Sequence, residues 1–136
     1  MKYINSVKGV EAHQLAGFFQ GWPNPPSQET HLTILRQSSH IVLAIAPSGQ
    51  VVGFTTAISD GVLSAYISLL EVLPTYRRQG IGTSLVRRLL EHFSGLYSVS
   101  LHCDTELEPF YNALGLYALG GMATRNFSAQ SGRRAA

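Results

Sequence analysis

The sequence predicts a mixed α/β fold of the α+β kind, with about four helices packed on a mostly antiparallel sheet of about six or seven strands. In the middle of the chain, three segments rich in β-branched and aromatic residues alternate with tight turns: "HIVLAIA", "VVGFTTAIS" and "VLSAYISLLEVL". Residues 77–93 then repeat apolar side chains at helical spacing. The 136 residues are 45% hydrophobic and 13% charged, which suits one domain with an ordinary core.

The elements before this meander follow from local residue patterns. A short strand is expected over residues 2–6, and near-helical spacing of apolar residues predicts a helix over 9–19. The stretch "GWPNPPSQ" is a loop, because its three prolines fix φ and lack backbone donors. Ser27 then caps a helix over 28–39.

The elements after the meander complete the predicted order. The helix over 77–93 is followed by a strand, "YSVSLHC", and by a short helix, "LEPFYNAL". The stretch "GLYALGGMATRNF" supplies two final strand segments. We therefore expect one domain over 1–128 and a polar, flexible tail over 129–136.

Charge and composition exclude several classes of protein. The formal net charge is +2 and the basic residues form no long stripe, so a dedicated nucleic-acid binder is not expected. No apolar run approaches the roughly 20 residues that span a bilayer, and no signal peptide is visible, so a membrane partner is not expected either. A single cysteine, Cys103, allows no internal disulfide and favours a cytoplasmic location.

The beginning of the helix over 77–93 carries the chemistry. Its first backbone N–H groups, over 78–84, have no helical carbonyl to pair with, and the helix dipole adds partial positive charge there. Gly80 and Gly82 keep side chains away from that backbone, which predicts a site for a pyrophosphate. Further donors stand around the same place: Arg77, Arg78, Gln79, Ile81 through its amide, Thr83 and Ser84.

Other interpretations of these glycines are possible. A Walker loop needs Gly-Lys-Ser/Thr at its end, and a dinucleotide fingerprint needs Gly or Ala at position 85, where Leu85 stands, so both fail. The glycines could serve only close packing at a helix start, and a nucleotide could use the same helix end.

Two stretches resemble the GNAT superfamily of N-acetyltransferases. "LLEVLPTYRRQGIGTSLVRRLLEHF" is similar to the family's motif A, with Arg77, Gly80 and Gly82 following Pro74. "EPFYNALGL" is similar to the Phe-Tyr-x-x-x-Gly-Phe stretch, with Leu116 in place of the last Phe. With the predicted order of elements, the resemblance covers residues 41–120.

The resemblance implies acetyl-coenzyme A as co-substrate, with its pyrophosphate on the amides of 78–83. It also implies that strands 4 and 5 of the sheet splay apart and hold the pantetheine arm between them. The backbone near Leu70 and Val72 would hold the thioester carbonyl, and Asp104 or Thr105 would contact the arm. No metal is expected.

Proton transfer needs an acid and a base. Tyr111 matches the family tyrosine near the coenzyme sulfur, and the alternative is an aromatic ring packed under the last helix. Glu71 lies in the apolar run "ISLLEVL", where a carboxylate is unusual, and is either the base, a residue that positions water, or half of a structural ion pair. Tyr66 and Ser68 are weaker options for the base.

The neighbouring polar residues favour simpler roles. His102 and Asp104 share one face of their strand, yet no second cluster has the spacing of metal ligands. Cys103 is expected to be a small buried hydrophobe, since direct transfer needs no covalent intermediate. Arg87 and Arg88 are expected on the solvent face of their helix.

The acceptor side is less defined by the sequence. Trp22 in the proline-rich loop would form an apolar wall with Phe18, Phe19 and Tyr66, and Ser68 would line the same cleft. Such a wall favours a small primary amine with an apolar body over the amine of a peptide or protein. Trp22 could equally anchor its loop to the core. The expected activity is direct N-acetylation in a ternary complex, a non-catalytic acyl-coenzyme A sensor is the alternative, and the last strand could pair two copies into a homodimer.

Overall fold

The computed structural model describes residues 1–132. Its sheet has five strands in the order β1-β2-β3-β4-β5, all antiparallel except for the parallel pair β4 and β5. The strands are β1 (Lys2–Ile4), β2 (His40–Ile45), β3 (Val51–Ser59), β4 (Ser64–Val72) and β5 (Ser98–Ser100). The mixed α/β class is confirmed, whereas the expected sheet of six or seven strands is wrong for the described chain.

Three α-helices are present in this part of the chain: α1 (Gln28–Gln37), α2 (Ile81–Glu91) and α3 (Glu108–Asn112). The fourth predicted helix, over 9–19, is wrong, because only a 3-10 turn forms there, at Ala12–Leu15. Gly17 and Phe19 both have positive φ, at 95° and 63°, which a continuing right-handed helix does not allow. The apolar spacing over 9–19 therefore reflects a folded turn that buries Leu15 and Phe19.

The two predicted final strands are also wrong. Residues 117–125 form no strand, and three large apolar side chains there are exposed: Tyr117 at 80%, Leu119 at 80% and Met122 at 97%. Strands disfavour Gly120, Gly121 and the two alanines of this segment, and no neighbouring strand in the described chain is available to pair with it. Beyond them, the Asn24 N–H donates to Oε1 of Gln130, and residues 133–136 of the predicted tail lie outside the described residues.

The three middle strands and their turns form as predicted. Between β2 and β3, Gly49 has a φ of 91°, which turns the chain back on itself. Between β3 and β4, Oδ1 of Asp60 accepts the N–H groups of Val62, Leu63 and Ser64 at 2.8–3.2 Å. These bonds hold the pKa of the Asp60 carboxyl below its ordinary value and fix the hairpin.

Helix α2 lies directly on the sheet and sets the position of the candidate site. Leu85, Val86 and Leu89 are fully buried on the face that meets β2 and β3. At Gly53 of β3, a Cβ atom would stand 3.0 Å from Leu85 and 3.2 Å from Ile81, so the absence of a side chain lets the helix approach closely. The first turn of α2 is therefore held against the sheet, beside the end of β4.

The opposite face of the sheet is covered by α1 and by the 3-10 turn at Ala12–Leu15. Oγ of Ser27 accepts the N–H of Thr30 at 3.1 Å, which confirms the predicted cap of α1. Leu15, Leu35 and Phe54 are fully buried between these elements and the sheet. No helix within residues 1–132 has the length and apolar character to cross a membrane.

Candidate functional site

The turn from β4 into α2 is shaped by two residues with left-handed backbone. Arg78 has a φ of 63° and Gly80 a φ of 80°, on either side of Gln79. A non-glycine residue at positive φ is uncommon and stores strain, so the turn is held by its surroundings. Left-handed residues in a turn direct successive N–H groups to one side, which creates a concave surface for anions.

Six consecutive backbone N–H groups in this turn, from residue 78 to residue 83, have no hydrogen-bond partner within residues 1–132. The N–H of Ser84 donates to the carbonyl of Gly80 at 3.1 Å, so the prediction that its amide is free is wrong. That bond is the first one inside the helix. The unpaired donors and the positive end of the α2 dipole therefore coincide.

The two glycines of the turn have different structural reasons. Gly80 needs its positive φ, and a Cβ there would meet nothing within 4 Å. At Gly82 a Cβ would stand 3.6 Å from the Phe110 ring and 3.9 Å from Val72, which are ordinary van der Waals distances. Gly80 thus shapes the backbone, whereas Gly82 lies where α2, α3 and the end of β4 meet.

The polar side chains of the turn are partly engaged in holding it. Nε of Arg77 donates to the carbonyl of Val72 at 3.0 Å, and Nε2 of Gln79 donates to the carbonyl of Thr75 at 3.4 Å. Arg77 therefore ties the turn to the last residue of β4. Arg78 is exposed and has no hydrogen-bond or ion-pair partner among the described residues.

A gap opens between β4 and β5 next to this turn. The two strands pair at three positions, ending with Tyr66 opposite Ser100, while β4 continues to Val72. The Leu73 N–H donates to the Val52 carbonyl at 2.8 Å. Because bonded and non-bonded pairs alternate along antiparallel strands, the amides of Leu70 and Val72 point away from β3, toward the gap.

Tyr111 lies on α3 with its ring in the core cluster that also contains Ile67 of β4. It is 8% exposed, and burial, with a smaller effect of the nearby Cys103 thiol, raises the pKa of its hydroxyl to about 12. The hydroxyl makes no hydrogen bond within residues 1–132. Tyr111 therefore carries a hydroxyl that keeps its proton at neutral pH and has no partner there.

Glu71 lies on the other face of β4, toward α1. Its carboxylate oxygens accept the N–H groups of Phe19 at 2.8 Å and of Gln20 at 3.3 Å. It makes no ion pair with an arginine in the described chain, contrary to that structural alternative. Glu71 fixes the turn at residues 17–20 and retains acceptor capacity, since a carboxylate offers about four lone-pair sites.

The other predicted side chains on β4 and after β5 have direct partners or are exposed. Oη of Tyr66 and Nδ1 of His102 are 2.8 Å apart and share a hydrogen bond. The hydroxyls of Ser68 and Thr56 are also 2.8 Å apart, at a bulge where Ser68 has no opposite residue on β3. Cys103 and Asp104 are both exposed, so the expectation of a buried Cys103 is wrong, and Asp104 precedes a short 3-10 turn, Thr105–Leu107.

Trp22, in the proline-rich loop, packs on Phe19, which belongs to a cluster of aromatic rings with His31 and Phe54. Its ring lies 4.9 Å from that of Phe19, and 38% of the residue stays exposed. The ring centroids of Phe19 and His31 are also 4.9 Å apart, in an edge-to-face arrangement. Trp22 therefore both anchors its loop and presents a partly exposed aromatic surface.

The profile of the Acetyltransferase (GNAT) family matches residues 7–120. The chain belongs to this family. The matched range contains the turn with the unpaired amides, the gap beside β4 and Tyr111. The family is one of acetyltransferases.

Individual relatives agree with this assignment. A crystal structure of a candidate acetyltransferase from Deinococcus radiodurans R1 is 46% identical, has a TM-score of 0.95, and covers 98% of this chain and 94% of that chain. "GCN5-related N-acetyltransferase 3, chloroplastic" of Arabidopsis thaliana is 39% identical over 52% of this chain and 31% of its own length. "Serotonin N-acetyltransferase 2, chloroplastic" of Oryza sativa is 27% identical over 87% of this chain and 64% of its own length. The chain thus matches less than two thirds of either curated relative.

Two features of this GNAT chain were not found by sequence reasoning. The Tyr66–His102 bond depends on the register of a parallel strand pair, for which the sequence carries no local signal. His31 is 1% exposed, and its Nε2 has no partner within residues 1–132. Its spacing of four residues before Leu35 on α1 could have indicated burial.

Proposed function

We propose that this GNAT acetyltransferase transfers the acetyl group of acetyl-coenzyme A to a primary amine of a small molecule. In the proposed reaction the amine attacks the thioester directly while both substrates are bound. The observation that carries the proposal is the run of six unpaired amides, 78–83, beside the unpaired edge of β4. A diphosphate needs such donors, and an extended arm needs such an edge.

In this proposal the turn residues bind the pyrophosphate. The amides of 78–83 donate to it, and the Arg78 guanidinium adds a charge-assisted donor. The hydroxyls of Thr83 and Ser84 stand on the same first turn of α2. Arg77 acts by keeping the turn in place through its bond to Val72.

The edge of β4 would bind the reacting end of the coenzyme. The amides of Leu70 and Val72 point into the gap, so either can donate to a thioester carbonyl. Donors fixed in advance stabilise the negative charge that develops on such an oxygen during acyl transfer. Asp104, after β5, is proposed to contact the arm from the opposite side of the gap.

We assign the acid to Tyr111. When the amine replaces the thiol, a proton must reach the departing sulfur, and the Tyr111 Oη holds one at neutral pH because its pKa is about 12. A positioned proton donor typically contributes about 10²–10⁴-fold to the rate. Its lack of a partner in the described chain is consistent with this role.

We assign the base to Glu71. The attacking amine must lose a proton, and two of the roughly four acceptor sites of the carboxylate are engaged by Phe19 and Gln20. The remaining sites can accept a proton from the amine through water. Ser68 is a poorer candidate, because its hydroxyl is already paired with that of Thr56.

The proposed acceptor is a small amine with an aromatic or apolar body. The Trp22 surface next to Phe19 is apolar, and Tyr66 lies on the strand that borders the gap. One relative is named for serotonin, an aromatic monoamine, which supports this class.

A cytoplasmic location also stays a prediction, and two relatives carry names that place them in chloroplasts.

The deciding experiment measures thiol release from acetyl-coenzyme A over a panel of amines, from aromatic monoamines to lysine peptides. We expect turnover with the aromatic monoamines, in contrast to a non-catalytic sensor, which would bind the coenzyme without releasing thiol. Acetyl-coenzyme A at a hundred times its Kd should add about 2.7 kcal/mol to the free energy of unfolding. ATP should not match that effect, and equal stabilisation by ATP would favour a nucleotide site instead.

A further inference from the structure

Cys103 is the only cysteine of the chain, and it is exposed. It stands after β5, which ends at Ser100, and before the 3-10 turn Thr105–Leu107. The Leu107 N–H donates to the Asp104 carbonyl at 2.9 Å, so the backbone beside the thiol is fixed. An accessible thiol can exchange with a disulfide, whereas a buried structural cysteine is inert.

The position of Cys103 puts it on the second side of the gap next to β4. The pairing of β4 with β5 ends with Tyr66 opposite Ser100, while β4 continues to Val72. Beyond Ser100 the chain separates from β4, so residues 101–104 border the gap from the side opposite the β4 edge. Any group that lies along that edge therefore passes close to the segment that carries Cys103.

Tyr111 supplies a second, independent observation at the same place. It is 8% exposed, yet its hydroxyl has no hydrogen-bond partner within residues 1–132, Cys103 included. Burial is the larger cause of the raised pKa of this hydroxyl and the Cys103 thiol is the second, so the two groups are near one another. A polar side chain that is this buried and has no partner indicates a missing ligand. A buried hydroxyl and an exposed thiol thus stand together without a bond between them.

We propose that Cys103 is a site of thiol–disulfide exchange with the oxidised coenzyme, so that coenzyme A disulfide leaves one coenzyme joined to Cys103 inside the gap. The inference rests on the proposed function, in which the sulfur end of the coenzyme lies beside Tyr111. The amides of 78–83 hold the diphosphate of the same molecule, and its sulfur then reaches Cys103. The mixed disulfide occupies the site and excludes acetyl-coenzyme A, which makes the activity sensitive to oxidation.

The exchange needs no oxidant other than the disulfide itself. The Cys103 thiolate attacks one sulfur of coenzyme A disulfide, and the new S–S bond forms as the original S–S bond breaks. The second coenzyme leaves as a thiolate, and the proton that Cys103 released returns to it through solvent. The Cys103 sulfur is oxidised and the departing sulfur is reduced, so atoms and electrons balance. A reducing thiol reverses the step by the same chemistry.

Intact-protein mass spectrometry tests the proposal directly, because the chain has a single cysteine. The protein is mixed with coenzyme A disulfide or with glutathione disulfide, and the rate of adduct formation is followed. Coenzyme A disulfide should react at least about tenfold faster, because binding of its diphosphate raises the effective concentration of its sulfur beside Cys103. Saturating acetyl-coenzyme A should slow that reaction, dithiothreitol should reverse it, and Cys103→Ser should form no adduct.

A second variant separates binding of the coenzyme from reactivity of the thiol. Gly80→Ala disturbs the turn of unpaired amides, so it should slow the reaction with coenzyme A disulfide and leave that with glutathione disulfide unchanged. No adduct, equal rates for the two disulfides, or a preference that Gly80→Ala leaves intact overturns the proposal. The adduct is measured without acetyl transfer, so a protein that binds acetyl-coenzyme A in a titration and shows no preference contradicts this inference alone. A preference in a protein that acetylates no amine contradicts the proposed transfer alone.

Discussion

The Glu71 carboxylate accepts the backbone N–H of Phe19 at 2.8 Å and so joins β4 to a turn 52 positions earlier in the chain. Phe19 has a φ of 63°, which is unfavourable for a bulky side chain, and the bond is one of the contacts that hold it there. This carboxylate therefore connects β4, whose edge is proposed to bind the coenzyme, to the aromatic rings of Phe19 and Trp22 on the proposed acceptor side.

Replacing Glu71 with Gln should lower the free energy of unfolding by about 1–2 kcal/mol, because an NH2 group, which cannot accept from an N–H, replaces one of the two accepting oxygens. Denaturant unfolding measures this change. Glu91→Gln is the control, since Glu91 is exposed at the end of α2 and should change stability by less than about 0.5 kcal/mol.

Kinetics of the Glu71→Gln variant separate the two roles of the residue. If Glu71 is the base, kcat should fall about 10²-fold or more at temperatures where the variant is fully folded. A variant that loses stability and keeps its kcat would leave Glu71 as a structural residue alone.

The two glycines of the turn should respond differently to alanine. Gly80→Ala forces a Cβ into a left-handed position and should cost about 1–2 kcal/mol, with weaker binding of acetyl-coenzyme A. Gly82→Ala places a methyl group 3.6 Å from the Phe110 ring and should change stability by less than about 1 kcal/mol. Unfolding and calorimetric titration of the two variants check this contrast, and equal destabilisation would contradict it.

Local patterns predicted the meander and its turns well, because their determinants are local. Asp60 and Gly49 fix the hairpins within a few residues, and Ser27 caps α1. The same holds for the first turn of α2, where free amides follow from helix geometry and needed no knowledge of the rest of the fold.

The failures have a common physical cause, which is dependence on distant partners. Residues 9–19 have helical spacing, yet the bond from Phe19 to Glu71 belongs to a turn that the spacing does not reveal. Residues 117–125 were expected to form strand segments, but strand formation needs a neighbour that the described chain does not supply. Glu71 stood out in the sequence as a carboxylate in an apolar run, whereas its bonds to the distant Phe19 and Gln20 amides left no local signal.

Tyr111→Phe tests the proposed acid with little disturbance of packing. The ring stays in the core, and the hydroxyl has no hydrogen bond to lose within residues 1–132, so stability near pH 7 should change by less than about 1 kcal/mol. Turnover should fall about 10²-fold or more while binding of acetyl-coenzyme A, measured by titration, stays the same. Unchanged turnover would remove Tyr111 from the mechanism, and loss of binding would make it a contact of the coenzyme instead.

His31 should make the enzyme sensitive to mild acid. Burial among aromatic rings lowers its pKa from 6.5 to about 4, with the Phe54 ring 4.3 Å away. The unfolded chain therefore binds a proton below about pH 6.5 that the folded chain does not, and stability falls as pH falls from about 6.5 to about 4. The loss should reach at most about 3 kcal/mol.

The variant His31→Leu removes the titrating group and keeps a side chain of similar size in the cluster. Its free energy of unfolding, measured from pH 7 to pH 4, should decline less steeply than that of the parent protein. His13→Leu is the comparison variant, because it removes an imidazole that is 76% exposed instead of a buried one. Parallel curves for the parent and His31→Leu would show that the buried imidazole is not the source of acid sensitivity.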